Sequence, residues 1–289
     1  MRSFALAAAL TAALVAPALA WGPEGHSIVA EVAQPRLNAP AAQMVAKLLK
    51  GRSLASIASW ADDTRDTRPA TAQWHFVDIP LDVATYDPAR DCKLDAQNGD
   101  CIVAELGRLR NELRCASGDA QVEALKFAVH FVGDIHQPLH TVLEKKGGND
   151  INVDVFMRGL ATSPTDTPKH MPDNLHAAWD TDLIRKTVWD WGAYVDRLES
   201  GWLATSPDAK AEDPATNHTA IDDSTFIKWA EETHKAAPTV WYLRPADDVL
   251  DDRYLRDVLP ILDRQLGIAG LCLARLLNQA YESNQCPVR

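Results

Sequence analysis

Past its first twenty residues the chain has no apolar run of the roughly 20 residues a membrane-spanning helix needs, which excludes such a helix from the body of the protein. It has no Gly/Ser-rich linker, internal repeat or long low-complexity tract, so nothing marks a boundary between domains. Alternation of apolar and polar residues is scarce, which argues against an all-β fold. Positive charge is also short: 29 Lys and Arg face 40 Asp and Glu, for a net charge of −11. A protein that held nucleic acid by its overall charge would be basic, because phosphate contacts dominate that affinity. A phosphate-bearing ligand would therefore have to be attracted locally, and bound divalent metal is one means.

The N-terminus reads as an export signal. Arg2 supplies a positive start, Phe4 to Val15 is almost wholly apolar, Pro17 breaks the run, and Ala18-Leu19-Ala20 is a small-x-small cleavage site. Cleavage after Ala20 would leave residues 21–289 as one domain, secreted or periplasmic, without stable membrane association and monomeric. It would also make Trp21 the new N-terminus, five positions before His26. Five cysteines in an oxidising compartment suggest two disulfides and one thiol left over. Cys92 and Cys101 flank a loop-like segment and could close it. Cys272 and Cys286 could tie the tail to the last helix, leaving Cys115 outside either pair. Sequence alone does not set this connectivity.

Helical periodicity dominates the remainder. It predicts helices over Ala41–Leu49, Ser53–Asp62, Ile102–Leu113, Asp119–Ile135, Leu175–Lys186, Trp189–Leu203, Asp223–Val240 and Arg253–Tyr281, the last with a bend near Gly267 or Gly270. Ile151–Phe156 alternates with period two and predicts one arm of a small β-hairpin. Arg158–Asp173, with three prolines, reads as a long surface loop. The expected fold class is all-α, a single mostly helical domain with that hairpin.

His130 and Asp134 stand at i, i+4 on a predicted helix, as do His176 and Asp180, so each pair shares a helical face. His140 follows the first pair in a turn closed by Pro138. Asp62 and His75 add a carboxylate and an imidazole upstream. Imidazoles and carboxylates without thiolates make the donor set of a catalytic zinc site rather than a structural one. Each pair alone is ordinary; their accumulation beside a processed terminus is not.

Six strings carry a resemblance: Trp21-x4-His26, Ser59-Trp60-Ala61-Asp62, Trp74-His75-Phe76, His130-x3-Asp134 with Gln137-Pro138-Leu139-His140, Gly147-Gly148-Asn149, and Asn174-Leu175-His176-Ala177-Ala178-Trp179-Asp180. In this order they resemble the three-zinc class I nucleases of fungi, plants and bacteria (the S1/P1 type), and Gln265–Gly270 through Asn278 is similar to that family's last helix. The resemblance implies a phospholipase C/nuclease-like helical fold and three zinc ions. Asp62, His75, His130 and Asp134 would hold one, and His140, His176 and Asp180 another. The Trp21 amine and carbonyl, His26 and Asp134 would hold the third. It further implies that Asp62 orients the nucleophile, that Arg65 stabilises the phosphoryl transition state, and that Phe76, Asp78 and Asn149 form a base pocket. The activity implied is endonucleolytic cleavage of single-stranded DNA and RNA, with 3′-nucleotidase activity and 5′-phosphorylated products.

Two departures stand out. His136 occupies a position where relatives carry a small or apolar residue, and its simplest role is to finish the helix. The 158–173 segment is longer than in compact relatives. Two competing readings remain at this stage: a zinc phospholipase C, which tends to carry glutamate where Asp180 stands, and a non-catalytic module whose zinc ions only brace the helices. Asn217-His218-Thr219 is a formal glycosylation sequon.

Overall fold

The scaffold is organised around its last helix, Asp252–Glu282, 31 residues long. Leu255, Val258, Leu262, Leu266, Ala269, Leu273, Leu276, Leu277 and Ala280 are all buried, a three-and-four spacing that turns one face to the core. In this computed structural model residues 21–94, 100–160, 165, 167–188, 190–282 and 286 are described. The proposed export signal, residues 1–20, lies outside them.

A first helix, Pro23–Ala33, packs along the last one, although no element is predicted there from periodicity. Pro23 suits a first turn, where its missing N–H has no intrahelical partner to lose. The two helices meet at Gly270, where a Cβ would come within 2.4 Å of Val32 Cγ1. Gly267 lies under Trp202 in the same way, with a Cβ reaching 2.6 Å from its ring. Both glycines therefore serve close packing, and the helix runs through them without interruption.

Asp119–Asp134 packs against both Ile102–Cys115 and the last helix. Other predicted helices are present in pieces. Ser53–Asp62 is a 3-10 turn, Ala55–Ile57, followed by Trp60–Arg65. Trp189–Leu203 is Trp191–Ser200 and Trp202–Thr205, divided at Gly201; Trp189 is outside the described residues. Asp223–Val240 is Asp223–His234 and Ala237–Tyr242, the second opened by a proline in its first turn. Leu175–Thr187 contains a wide π-type turn over Ala178–Asp182.

The sheet is small. β1 (Asn152–Val155) pairs antiparallel with β2 (Met171–Asn174) and parallel with β3 (Val249–Leu250), in the order β2-β1-β3. The predicted hairpin is therefore there, with an extra strand, and the 158–173 segment ends in β2 rather than in loop. The protein is thus mostly helical with a minor sheet. Among the described residues no helix is long and apolar enough to cross a membrane.

Cys92 and Cys101 are disulfide-bonded. The suggested Cys272–Cys286 pair is not formed: Cys272 is 1% exposed inside the last helix. Cys286 is exposed, with its Sγ 3.9 Å from the Arg114 carbonyl oxygen. The one thiol is enclosed in the core and the other stands at the surface, so the two do not meet.

Candidate metal centre

The centre assembles on Asp119–Asp134, whose last turn presents His130 and Asp134 on one buried face. His26 reaches them from the first helix. Gly133 makes this approach feasible, since a Cβ there would stand 2.7 Å from His26 Nδ1. The His26 and His130 rings stack at 3.7 Å between centroids. Trp60–Arg65 contributes Asp62, and the 3-10 segment Pro69–His75 contributes His75 at its end.

Asp134 lies at the middle of this group. Its Oδ1 is 3.4 Å from His26 Nε2, and its Oδ2 is 3.0 Å from His75 Nδ1 and 3.3 Å from His130 Nε2. Asp62 Oδ1 is 3.6 Å from both His75 Nδ1 and His130 Nε2. Beside them, the π-type turn brings His176 Nε2 and Asp180 Oδ2 to 3.4 Å, with His140 Nε2 3.8 Å from Asp180 Oδ1. Three groups could each hold an ion: His26, His130 and Asp134; Asp62, His75 and His130; and His140, His176 and Asp180. A fourth grouping, Cys92, Asp100 and Cys101, has its two thiols consumed in the disulfide.

Trp21 is wholly buried beside this cluster. The Gly22 N–H donates to the Asp180 carbonyl at 2.8 Å, which pins the start of the described chain to the segment carrying His176 and Asp180.

Backbone carbonyls aim three of the imidazoles. His130 Nδ1 faces Ala58 O at 2.7 Å, His140 Nδ1 faces His75 O at 2.8 Å, and His176 Nδ1 faces Gly147 O at 2.8 Å. Donation from Nδ1 leaves each Nε2 as a lone pair pointing into the cluster, the arrangement by which an outer partner orients a ligating histidine. Gln137 steadies Asp180, its Nε2 donating to Oδ1 at 2.6 Å.

The electrostatics are those of a site short of cations. Burial, then the neighbouring imidazoles, hold His26 far below its ordinary pKa, and burial first of all does the same to His75 and His140. His176 is pushed down to about 4, again chiefly by burial. Burial drives Asp134 and Asp180 well above the usual carboxylate range. At His130 burial acts downward, but Asp134 and Asp62 outweigh it and raise the imidazole to about 9. His26 Nδ1 and Nε2, the Nε2 atoms of His75, His130 and His140, and one carboxylate oxygen each of Asp62, Asp134 and Asp180 are buried without a hydrogen-bond partner. Native interiors rarely leave such groups unpaired. Neutral imidazoles and carboxylates lacking a counter-charge are what divalent metal coordination satisfies.

A cavity of about 550 Å³ opens onto the cluster, lined by Arg65, His75, Phe76, Asp78, His140, Asn149 and His176 among others. Arg65 Nη1 lies 3.7 Å from Asp62 Oδ1, so the two residues singled out for chemistry are adjacent. Asp78 is raised to about 6 by burial and by Asp91. Asn149 Nδ2 donates to Lys146 O at 2.7 Å. His136 takes no part: its Nδ1 faces Val132 O at 2.7 Å, its ring packs on Trp229, and it lines a separate cavity. What sequence reasoning missed are roles played through the backbone, those of Ala58, Gly133 and Gly147, the last of which stood out only as part of the Gly147-Gly148-Asn149 string. A glycine directly before a ligand, as at Gly133-Asp134, was the available signal.

Comparison with known proteins agrees with this geometry. The family model described as S1/P1 Nuclease matches residues 21–282. Endonuclease 2 of Arabidopsis thaliana is 32% identical over 280 residues, covering 90% of each chain. Nuclease P1 of Penicillium citrinum is 30% identical over 293 residues, covering 91% of this chain and 98% of its own. Nuclease S1 of Aspergillus oryzae is 29% identical over 291 residues, covering 93% and 95%.

Proposed function

The chain belongs to the S1/P1 nuclease family, and from that premise we propose that it is an exported, monomeric, zinc-dependent phosphodiesterase. It cuts single-stranded DNA and RNA, removes 3′-phosphates from nucleotides and leaves 5′-phosphorylated ends. The observation that carries this reading is the convergence of His26, Asp62, His75, His130, Asp134, His140, His176 and Asp180 on one buried place, where every one of them but His176 has a side-chain atom that finds no hydrogen-bond partner within the protein.

Three zinc ions fit these residues: one with Asp62, His75, His130 and Asp134, one with His140, His176 and Asp180, and one with His26, Asp134 and the amine and carbonyl of Trp21. Bound zinc supplies Lewis acidity and a water acidic enough to serve as nucleophile near neutral pH. The protein's own groups do the positioning. Asp62, beside the cavity-lining Arg65, orients the attacking oxygen, and the Arg65 guanidinium meets the charge that builds on the phosphoryl oxygens. Phe76 offers a ring for an unpaired base to stack on, worth about 1–3 kcal/mol, while Asp78 and Asn149 address the base edge. A paired base has no free face to offer, which favours single strands.

The deciding experiment is metal analysis with product analysis on protein beginning at Trp21. Three zinc per chain and chelator-sensitive release of 5′-phosphorylated fragments from single-stranded DNA and RNA are expected. A form keeping one residue before Trp21 is expected to hold fewer zinc ions and to lose most activity. Full zinc with no cleavage, or full occupancy in the extended form, would overturn the reading or the role of the amine respectively.

A further inference from the structure

We propose that the left-handed turn over Lys145–Gly148 is a second phosphate-binding site, which takes the phosphate on the 5′ side of the nucleotide whose base lies against Phe76. The proposal rests on the nuclease reading above and names a substrate-selecting element of the same cavity.

Four consecutive residues lie in the left-handed region: Lys145 at φ 50°, Lys146 at 54°, Gly147 at 61° and Gly148 at 90°. For Gly147 the reason is local. A Cβ there would stand 2.4 Å from Leu139 O, and its carbonyl receives His176 Nδ1. No comparable reason applies to the lysines. A residue with a Cβ pays in backbone energy for this conformation, whereas glycine or asparagine adopts it readily. The chain nonetheless keeps two long cations here, and strained backbone of this kind concentrates at ligand-binding segments.

The turn also sets where those cations stand. Gly148 N and Asp150 N each donate to Lys145 O at 3.1 Å, and Asn149 N donates to Lys146 O at 3.2 Å. Through the Asn149 side chain, which donates to Lys146 O, the lysine backbone and the base pocket form one unit. Lys146 lines the same cavity as Phe76, Asn149 and His176. Its Nζ is 3.2 Å from Asp150 Oδ1, with the two side chains 77% and 48% exposed. Ion pairs so exposed are weak, so the ammonium can transfer to a phosphate. In a chain of net charge −11, the Lys146 ammonium on the cavity lining, with Lys145 exposed next to it in the chain, forms a local attraction for an anion. On this proposal a nucleotide with its 3′-phosphate on the His/Asp cluster and its base on Phe76 turns its 5′ side toward the Lys146 side of the same cavity. A polymer carries a phosphate there; a 3′-mononucleotide does not.

The test compares deoxyadenosine 3′,5′-bisphosphate with deoxyadenosine 3′-phosphate, scoring loss of the 3′-phosphate by the zinc-loaded enzyme. The expected wild-type preference in kcat/KM for the bisphosphate is roughly tenfold, the scale of a charge-assisted contact. In a Lys145→Gly/Lys146→Gly variant this ratio is expected to fall toward one while Tm stays level or rises, because glycine relieves the backbone. A structural role alone would lower Tm and leave the ratio. A Lys145→Arg/Lys146→Arg variant should retain the preference. An unchanged ratio in the glycine variant, or no preference in the wild type, overturns the proposal. If the wild type hydrolyses neither compound, the 3′-nucleotidase part of the nuclease reading has failed. Titration with a fluorescent phosphorothioate oligothymidylate then reads the turn directly: roughly tenfold weaker binding by the glycine variant supports the site, and equal binding overturns it.

Discussion

The last helix and the metal centre are built on opposite plans. Asp252–Glu282 is long, regular and apolar on its inner face, and it places no side chain in the cavity over the cluster. The centre takes His26, His130 and Asp134 from regular helices but draws the rest from short or irregular pieces: a six-residue helix, a 3-10 segment, a π-type turn and a left-handed turn. Regular helices satisfy their own backbone groups. The irregular pieces have carbonyls to spare, and those of Ala58, His75 and Gly147 orient the imidazoles. The last helix thus braces the centre without entering it, through the two ligand-bearing helices packed on it, the first of which lies between Gly270 and Gly133.

If that division holds, Asp134→Asn should cost the most in rate, at least about a thousandfold in kcat (roughly 4 kcal/mol), because one carboxylate serves several donors. Steady-state cleavage of single-stranded DNA by the zinc-loaded variant and wild type checks this. Leu273→Ala on the last helix should show the reverse: a loss of about 2–5 kcal/mol in stability, with kcat near wild type at temperatures where the variant is folded. A large fall in kcat would show that the helix tunes the centre as well as supporting it.

The smallest effect expected is at Asp78, on the wall of the cavity over the cluster. Its carboxyl is raised to about 6 from 3.8, so the folded state binds the proton more tightly than the unfolded one. This group's contribution to stability is therefore most favourable below about pH 4 and declines as pH rises to 6. Asp78→Asn should stabilise the protein by about 1–2 kcal/mol above pH 6 and give no gain below pH 4. Denaturation midpoints across that range test the sign. The same variant should weaken binding of a base without lowering zinc content, as metal analysis would show.

Long amphipathic stretches were legible in the sequence because a helix face repeats within the helix itself. Asp119–Ile135 and Arg253–Tyr281 were read to within a residue or two of their observed ends. Pro23–Ala33 was not, although Glu24, Ser27 and Glu31 recur at helical spacing opposite its seven buried residues; Gly22, Pro23 and Gly25 at its start are breakers that obscure the pattern. The breaks at Gly201 and before Ala237 were visible only as single residues within otherwise helical patterns. β3 has two residues and depends on β1 for its existence.

By itself the sequence determined which side chains are available and which of them are neighbours along a helix, as with His130 and Asp134 or His176 and Asp180, because i, i+4 geometry is local. It also supplied an odd set of cysteines without saying which would meet. Only the tertiary structure decided that His75, 59 positions before Asp134, stands 3.0 Å from it, that Gly133 admits His26, and that Lys146 reaches the cavity. Those outcomes depend on packing between segments distant in the chain, where no spacing rule applies and the shape of the core sets the distance.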